Sequence, residues 1–499
     1  MEKQHITDHT AGLAHSRMGL RKPMEKINKI YGPPGTGKTF RLIRRVKAYE
    51  RIGVPLHKIG YFAFTRKAAE EARKRINVSE KEVPYFQTIH AFCYHLLGLN
   101  EEDIMQPYHY EDLGKKLNIR VSFTDKYNEE ETHFLSCNNP YFQMIQKAIN
   151  KDIDIREEFD LNEHDKKQVK DYDTLNHIYR NLLVYKDKNN LFDFNDIIKS
   201  VLHSDKIPMF KAIFIDEAQD LSPLQWQLYD KLKYHCEQMY LAGDDDQAIY
   251  AWAGADVKRF VKEPAREIVL KKSHRISMAV QAESRYPIMK IEGVRKKKFY
   301  RPRSYDGESH YISDLNQVDL TKGKWLILTR TKSNLLDIMK DLKNKNFYYQ
   351  SNKGKSFKVG MYEAAVAYTK WTKDEVLDEK EIGAVKEYIP VGDWDKKIPW
   401  YDKFVADQKE ILYLRNLIAS KENLKEKARI WLSTIHAIKG GEEDNVILSL
   451  HQGRTVQQGI KSSVDKQDEE HRVWYVGITR ARNNLYKLRA KKKLREYQL

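Results

Sequence analysis

"INKIYGPPGTGKTFRLIRRV" (27–46) decides the fold. A short apolar strand runs into Gly32, Pro33, Pro34, Gly35, Thr36, Gly37, Lys38 and Thr39, and a helical pattern follows at once. Glycines let backbone N–H groups curl around phosphates at a helix N-terminus, Lys38 reaches the β/γ-phosphates, and the Thr39 hydroxyl is offered to Mg²⁺. Such a loop belongs at the carboxyl end of a strand in an open α/β sheet, so further buried parallel strands are expected. "KIGYFAF" precedes "TRKAAEEARKRI", where Ala68, Ala69, Ala72 and Ile76 fall at helical spacing. "KAIFID" is a continuous apolar run that ends in Asp216 and Glu217, carboxylates able to hold a magnesium shell and orient a water beside a phosphate loop.

A fourth run, "EQMYLAG", delivers "GDDDQAIYAW" (243–252). Asp244, Asp245 and Asp246 invite a metal cage. Neighbouring side chains at the end of a strand point to opposite faces, however, so the three should not converge on one ion. They are expected to shape the turn and its electrostatics, with Asp244 nearest a nucleotide.

At 499 residues the chain exceeds one ordinary core, and several domains are expected. Eighty-eight Lys and Arg against 71 Asp and Glu leave a formal charge of +17, which suits a polyanion such as nucleic acid. Cys93, Cys137 and Cys236, odd in number and widely spaced, argue against a disulfide framework or a zinc cluster and favour a reducing compartment. No stretch approaches eighteen apolar residues, so no membrane partner is expected and the location expected is cytoplasmic. From about 97 to 185 the sequence turns charged, Tyr- and Asn-rich and mostly helical; "KWLILTRT" (324–331), "RIWLSTIHAIKGGEEDNVILSL" (429–450) and "RVWYVGITRAR" (472–482) then form a second α/β run without a second phosphate loop. The basic runs "RKKKF" (295–299) and "RAKKKLR" (489–495) are expected to be solvated faces.

In their order along the chain, these stretches resemble the motifs of superfamily 1 helicases of the UvrD/Rep/PcrA group. "GPPGTGKT" is similar to motif I, "FAFTRKAAEEARKRI" to Ia, "TIHAF" (88–92) to Ib, and "LFDFNDII" (191–198) to the segment before "FIDEAQDLSPLQW", which resembles motif II. "GDDDQAIYAW" is similar to motif III, "LKKSHRI" (270–276) to IV, "STIHAIKGGE" (433–442) to V and "EEHRVWYVGITRA" (469–481) to VI. The resemblance implies two RecA-like α/β domains with parallel sheets, each carrying a mainly helical or irregular insertion, with ATP and Mg²⁺ in the cleft between them. The expected division is a tail over 1–23, a first domain from 24–96 and 186–272 around an insertion at 97–185, and a second from 273–359 and 427–499 around a short insertion at 360–426.

Carried over by resemblance, Glu217 is the catalytic base, Asp216 and Thr39 serve Mg²⁺, Gln247 contacts the γ-phosphate, and Arg275 and Arg480 are cations supplied by the second domain. Glu442, with Thr434 and His436, matches the positions that link ATP to DNA. Phe64, Thr65, Thr88, His90, Tyr250 and Trp252 match the DNA-contacting side of the first domain, where aromatic faces stack on any base. Phe40 and His274 stand where the group carries arginine and tyrosine, which puts adenine between them; the group's upstream glutamine motif is not evident. Ala253 replaces a customary arginine on the DNA path, and the residues after Ala481 are expected to leave no room for an appended nuclease domain. The activity implied is that of a 3′–5′ DNA helicase and single-strand translocase acting on single strands and single-strand/duplex junctions; the oligomeric state is left open by the sequence, with a monomer favoured. A translocase that strips proteins from single strands and a nucleotide-switched binding module are the alternatives. A phosphate-loop kinase does not need the second α/β domain.

Overall fold

Apolar runs without alternation bury both faces, which in a sheet means parallel strands covered by helices on either side. The computed structural model, which describes residues 26–123, 137–161, 168–390, 392–420 and 422–499, contains two such sheets. The first holds β1 (Ile27–Tyr31), β2 (Ile59–Ala63), β3 (Phe86–Thr88), β4 (Phe210–Ile215), β5 (Cys236–Gly243) and β6 (Arg266–Val269) in the order β3-β2-β4-β5-β1-β6. All its pairings are parallel. The carboxyl ends of β1, β4 and β5 therefore lie on one edge, and Gly32 N–H donates to Gly243 O at 2.9 Å across it.

The second sheet holds β7 (Glu308–Ile312), β8 (Trp325–Thr329), β9 (Tyr349–Ser351), β10 (Gly354–Lys355), β11 (Ile430–Thr434), β12 (Glu443–Ser449) and β13 (Ala481–Leu488) in the order β10-β9-β11-β8-β12-β13-β7. Only the short β9/β10 pair is antiparallel. "RVWYVGITRAR" divides between the end of a helix, Val464–Ile478, and the start of β13; this helix is buried from Asp468 onward apart from Glu469.

Each sheet has a core on both faces. Phe62, Phe92, Phe210 and Leu241 pack on one side of the first, and Leu42, Val46, Tyr61 and Phe214 on the other. Ile327, Leu342, Leu432 and Ile447 cover one side of the second sheet. The core on its other side, around Leu328, Val446, Val473 and Trp474, also takes in Ile249, Tyr250 and Ala253 from the segment that follows β5. A fully buried Ile side chain contributes about 1.5–3 kcal/mol, so Ile249 above all anchors the segment in the partner unit.

The stretch expected as the first insertion contains the helices Pro107–Lys116, Pro140–Lys151, Ile155–Leu161 and Tyr172–Asn189 around Tyr110, Phe142, Ile145 and Leu175. Within 360–426 the described residues include the helices Val359–Trp371, Glu379–Lys386, Trp400–Lys403 and Gln408–Ala419, which enclose Met361, Tyr368, Trp400 and Leu414. The tail expected over 1–23 lies outside the described residues. Cys93, Cys137 and Cys236 are free and buried. Among the described residues no helix is long and apolar enough to cross a membrane.

Candidate active site

The phosphate loop opens after β1 and closes into the helix Lys38–Arg51. Gly35 has φ +68°, and a Cβ there would sit 2.1 Å from the Cβ of Arg275, so backbone freedom and the close approach of the second unit both require glycine. Ser273 Oγ donates to Pro34 O at 2.7 Å and His274 N–H to Gly35 O at 2.8 Å. Lys38 Nζ donates to Gly32 O at 3.1 Å and lies 3.5 Å from Glu217 Oε1. Thr39 Oγ1 donates to Asp216 Oδ2 at 2.6 Å, and Tyr61 OH to the same oxygen at 3.1 Å. Hydroxyl and carboxylate thus meet beside a glycine cradle. Hard oxygen donors of this kind fit Mg²⁺, which keeps few protein ligands and takes the rest from phosphate and water.

Glu217 adopts φ +55°, a left-handed conformation uncommon for a residue with a Cβ. Burial would raise its carboxyl, but Lys38 first and Lys439 second hold it down to about 2, with Gln219 donating to Oε2 at 2.7 Å. Burial and the neighbouring Glu217 charge push Asp216 the other way, above the usual carboxylate range. Asp220 rises to about 6 through burial, with Lys439 opposing the rise. The Glu217 and Asp220 environments are thereby driven apart.

Across the cleft, Arg480 leaves the end of the helix Val464–Ile478 and its Nη2 donates to Gln247 Oε1 at 3.1 Å. Burial, reinforced by the nearby Arg275, lowers the Arg480 guanidinium to about 9. Arg275 and Arg482 both pair with Glu442. The loop 435–442 runs from the carboxyl end of β11 to the amino end of β12, opposite edges of one parallel sheet. Near its middle Lys439 pairs with Asp220, donates to Gln247 O at 3.0 Å and lies 4.8 Å from the Tyr250 ring centroid. Lys439 lies within "STIHAIKGGE" (433–442), but only the cross-cleft geometry singles it out.

The aromatic end of the site is divided. Tyr250 is buried and stacks on Phe64, with centroids 5.3 Å apart and 21° between planes. Trp252 is 46% exposed, and its ring meets His436 edge-on at 6.4 Å. Burial, then Arg330 and Lys439, keep His436 neutral by lowering it to about 3. Thr65, Thr88 and Thr434 each accept a backbone N–H from three residues on, at 3.1, 3.2 and 3.3 Å. Each of these bonds uses one oxygen lone pair and leaves the O–H proton as a donor. His90 is buried edge-on to Phe194 at 5.6 Å. Phe40 is 59% exposed and His274 exposed.

Two expectations are corrected. Asp244, Asp245 and Asp246 do converge on one cation, the ammonium of Lys298, at 2.8 Å from Asp244 and 3.0 Å from Asp246 with Asp245 also in contact. The chain leaves β5 and tightens into a 3₁₀ turn, Asp245–Gln247, so strand alternation no longer separates the side chains. The run 295–299 is accordingly no uniformly solvated face: Lys298 is buried, and Arg295 Nη2 donates to Asp246 at 3.1 Å.

The UvrD/REP helicase N-terminal domain family matches residues 16–266, and the UvrD-like helicase C-terminal domain family residues 396–492. A "Probable DNA helicase" of Mycoplasma pneumoniae is 29% identical over 257 residues, 47% of this chain and 46% of its own length. The "ATP-dependent DNA helicase PcrA" of Staphylococcus aureus is 23% identical over 420 residues, covering 79% of this chain and 52% of its own. The chain thus spans about half the length of these relatives.

Proposed function

The chain belongs to the UvrD/REP helicase family, and from that premise we propose that it is an ATP-dependent DNA helicase that moves 3′ to 5′ on single-stranded DNA. The observation that carries this reading is the Arg480–Gln247 hydrogen bond, 3.1 Å long, which joins a cation of the second unit to the polar side chain that follows β5 of the first. Developing charge on a transferring phosphoryl group is stabilised by cations, and a cation delivered from the other unit ties that stabilisation to closure of the cleft.

ATP supplies the phosphoryl group transferred to water, and magnesium supplies charge that balances the phosphates. Lys38 and the backbone N–H groups of the loop would hold the triphosphate, with Thr39 and Asp216 at the metal. Glu217, kept ionised, is suited to accept the proton of the attacking water. Arg275, paired with Glu442, and Arg480, bonded to Gln247, would stabilise the charge that develops. Phe40 and His274 are assigned to the adenine. On the other side Trp252, with Phe64, Tyr250 and His436 behind it, would offer a stacking face to a base, and the capping threonines donors to phosphates. The loops 244–253 and 435–442 each reach from the arginines to these aromatics, which supports coupling of hydrolysis to movement.

Strand displacement on matched duplexes with a 3′ or a 5′ single-stranded tail tests the reading. Displacement only from the 3′-tailed duplex is expected. ATP-dependent displacement from the 5′ tail overturns the polarity, and DNA-stimulated hydrolysis without displacement from either points to a translocase.

A further inference from the structure

The three carboxylates around Lys298 are not symmetric in what else they touch. Asp244 holds Lys298 through Oδ1 and accepts from Gln247 Nε2 through Oδ2 at 2.7 Å, while the other end of that amide, Oε1, accepts from Arg480. Lys298, Asp244, Gln247 and Arg480 therefore form one hydrogen-bonded line. An amide has two distinguishable ends, and a charged partner on each side selects one orientation of it.

Lys298 is itself fixed by the strand of chain around it. Glu292 N–H and Gly293 N–H donate to Asp468 at 3.0 and 2.8 Å, and Arg472 reaches both Asp245 O at 2.9 Å and Val294 O at 3.1 Å. Asp468 and Arg472 lie on the helix that ends in front of Arg480. The segment 292–301 is thus strapped to that helix at one end. At the other, Arg301 N–H donates to Lys271 O at 2.9 Å, beside the phosphate-loop contacts of Ser273 and His274.

We propose that Lys298 is a positioning residue for ATP hydrolysis, acting through Asp244 to orient the Gln247 amide between the two units. The proposal rests on the functional reading above. A buried lysine that only neutralised three acids would matter to stability and to nothing else. A lysine that aims Gln247 must also affect turnover once DNA and nucleotide are saturating.

Removing Lys298 alone leaves its carboxylates under-compensated, a strongly destabilising change. The test therefore uses Lys298→Met combined with Asp245→Asn, which removes one acid with the cation, compared with Asp245→Asn alone. DNA-stimulated kcat, KM for ATP, oligo(dT) affinity and thermal midpoint are measured for both and for Gln247→Ala. The expected result is that kcat at saturating DNA falls by roughly 10-fold or more relative to the reference, at unchanged DNA affinity, and that adding Gln247→Ala lowers it by less than about 2-fold further. A kcat within about 2-fold of the reference, or losses that multiply with those of Gln247→Ala, overturns the proposal.

If the double variant does not fold, Lys298→Arg replaces it, since it keeps the charge but moves the donors. A kcat loss of roughly 5-fold at an unchanged midpoint supports positioning, and wild-type kcat overturns it. Absence of DNA-stimulated hydrolysis in the unaltered chain overturns the functional reading and this proposal together, whereas normal hydrolysis in both chains overturns this proposal alone.

Discussion

Lys38 lies 3.5 Å from Glu217, and Arg480 adds to the charge that keeps Glu217 ionised, so the three act on one another. Lys38 is the loop's own cation, and Glu217 stays ionised because of it. Lys38→Ala and Glu217→Gln are expected to abolish turnover. Arg480→Ala should lower kcat by roughly 10³-fold, the scale of arginine-finger losses; near-normal hydrolysis would remove Arg480 from the site. Asp220 carries a pH signature. With its carboxyl raised to about 6, it pairs with Lys439 as an anion only above that value. DNA-stimulated kcat should therefore fall as pH drops through about 6, and Asp220→Asn should have low kcat with that limb flattened. The sign for stability is opposite. A folded-state value above the ordinary 3.8 means that the Asp220 contribution to stability is full at low pH and is lost as pH rises toward 6. An activity limb near 6 is the expected pattern, while the thermal midpoint follows a different group, since His436, held neutral with a value of about 3, loses stability as pH falls below the ordinary 6.5; an activity limb unchanged in Asp220→Asn would assign it elsewhere.

At the scale of elements, two of the threonines expected at DNA, Thr65 and Thr88, cap helices. Thr88 accepts from Ala91 N–H at the start of Ile89–Leu97, so Thr88→Ala should lower stability by about 1 kcal/mol, seen as a lower thermal midpoint that Thr88→Ser restores. A wild-type midpoint in Thr88→Ala would show that the cap does not hold the helix. The same elements show what a sequence can and cannot disclose. β1, β2, β4 and β5 were legible because a strand buried on both faces is a continuous apolar run, and the phosphate loop because its glycines and Lys38 do one job in one place. The fate of Asp244–Asp246 was not legible. Their turn geometry follows from leaving β5, and their partner lies 53 residues from Asp245, at Lys298 in a run that looks like surface. Tyr250 and Trp252 are two residues apart with opposite fates, one buried in the second unit's core and one exposed. Composition carries no trace of that division, because it is decided by which side of a short 3₁₀ segment, Ala251–Ala253, each ring leaves.

Over the whole molecule, the two proposed ligand sites differ in how they should respond to salt. The chain carries a net +17, and a single strand held by its phosphates releases counterions when it binds. Neutralising about five phosphates gives a slope of about −3.5, so a four-fold rise in salt should weaken oligo(dT) binding by roughly 100-fold. The contacts across the cleft between the units are buried, Arg480 to 1% and the Asp220 side chain to 0%, and mobile ions screen buried pairs far less. Turnover at saturating DNA should then change by less than about 2-fold over the same salt range, since what salt weakens is the grip and not the coupling. Trp252→Ala separates the two further. Loss of one stacking contact, about 1–3 kcal/mol, weakens DNA binding by roughly 5- to 150-fold, and saturating DNA can offset that loss of grip. Loss of coupling between the aromatic and the arginine ends cannot be offset in the same way. Trp252→Ala is expected to keep its DNA-independent hydrolysis and its salt slope, but to show reduced maximal stimulation and impaired unwinding at any DNA concentration. Full recovery at saturating DNA would make Trp252 a grip alone, and loss of basal hydrolysis together with the fold would make it a packing residue. An affinity indifferent to salt, or a preference for one short duplex sequence, would contradict a single-strand motor altogether.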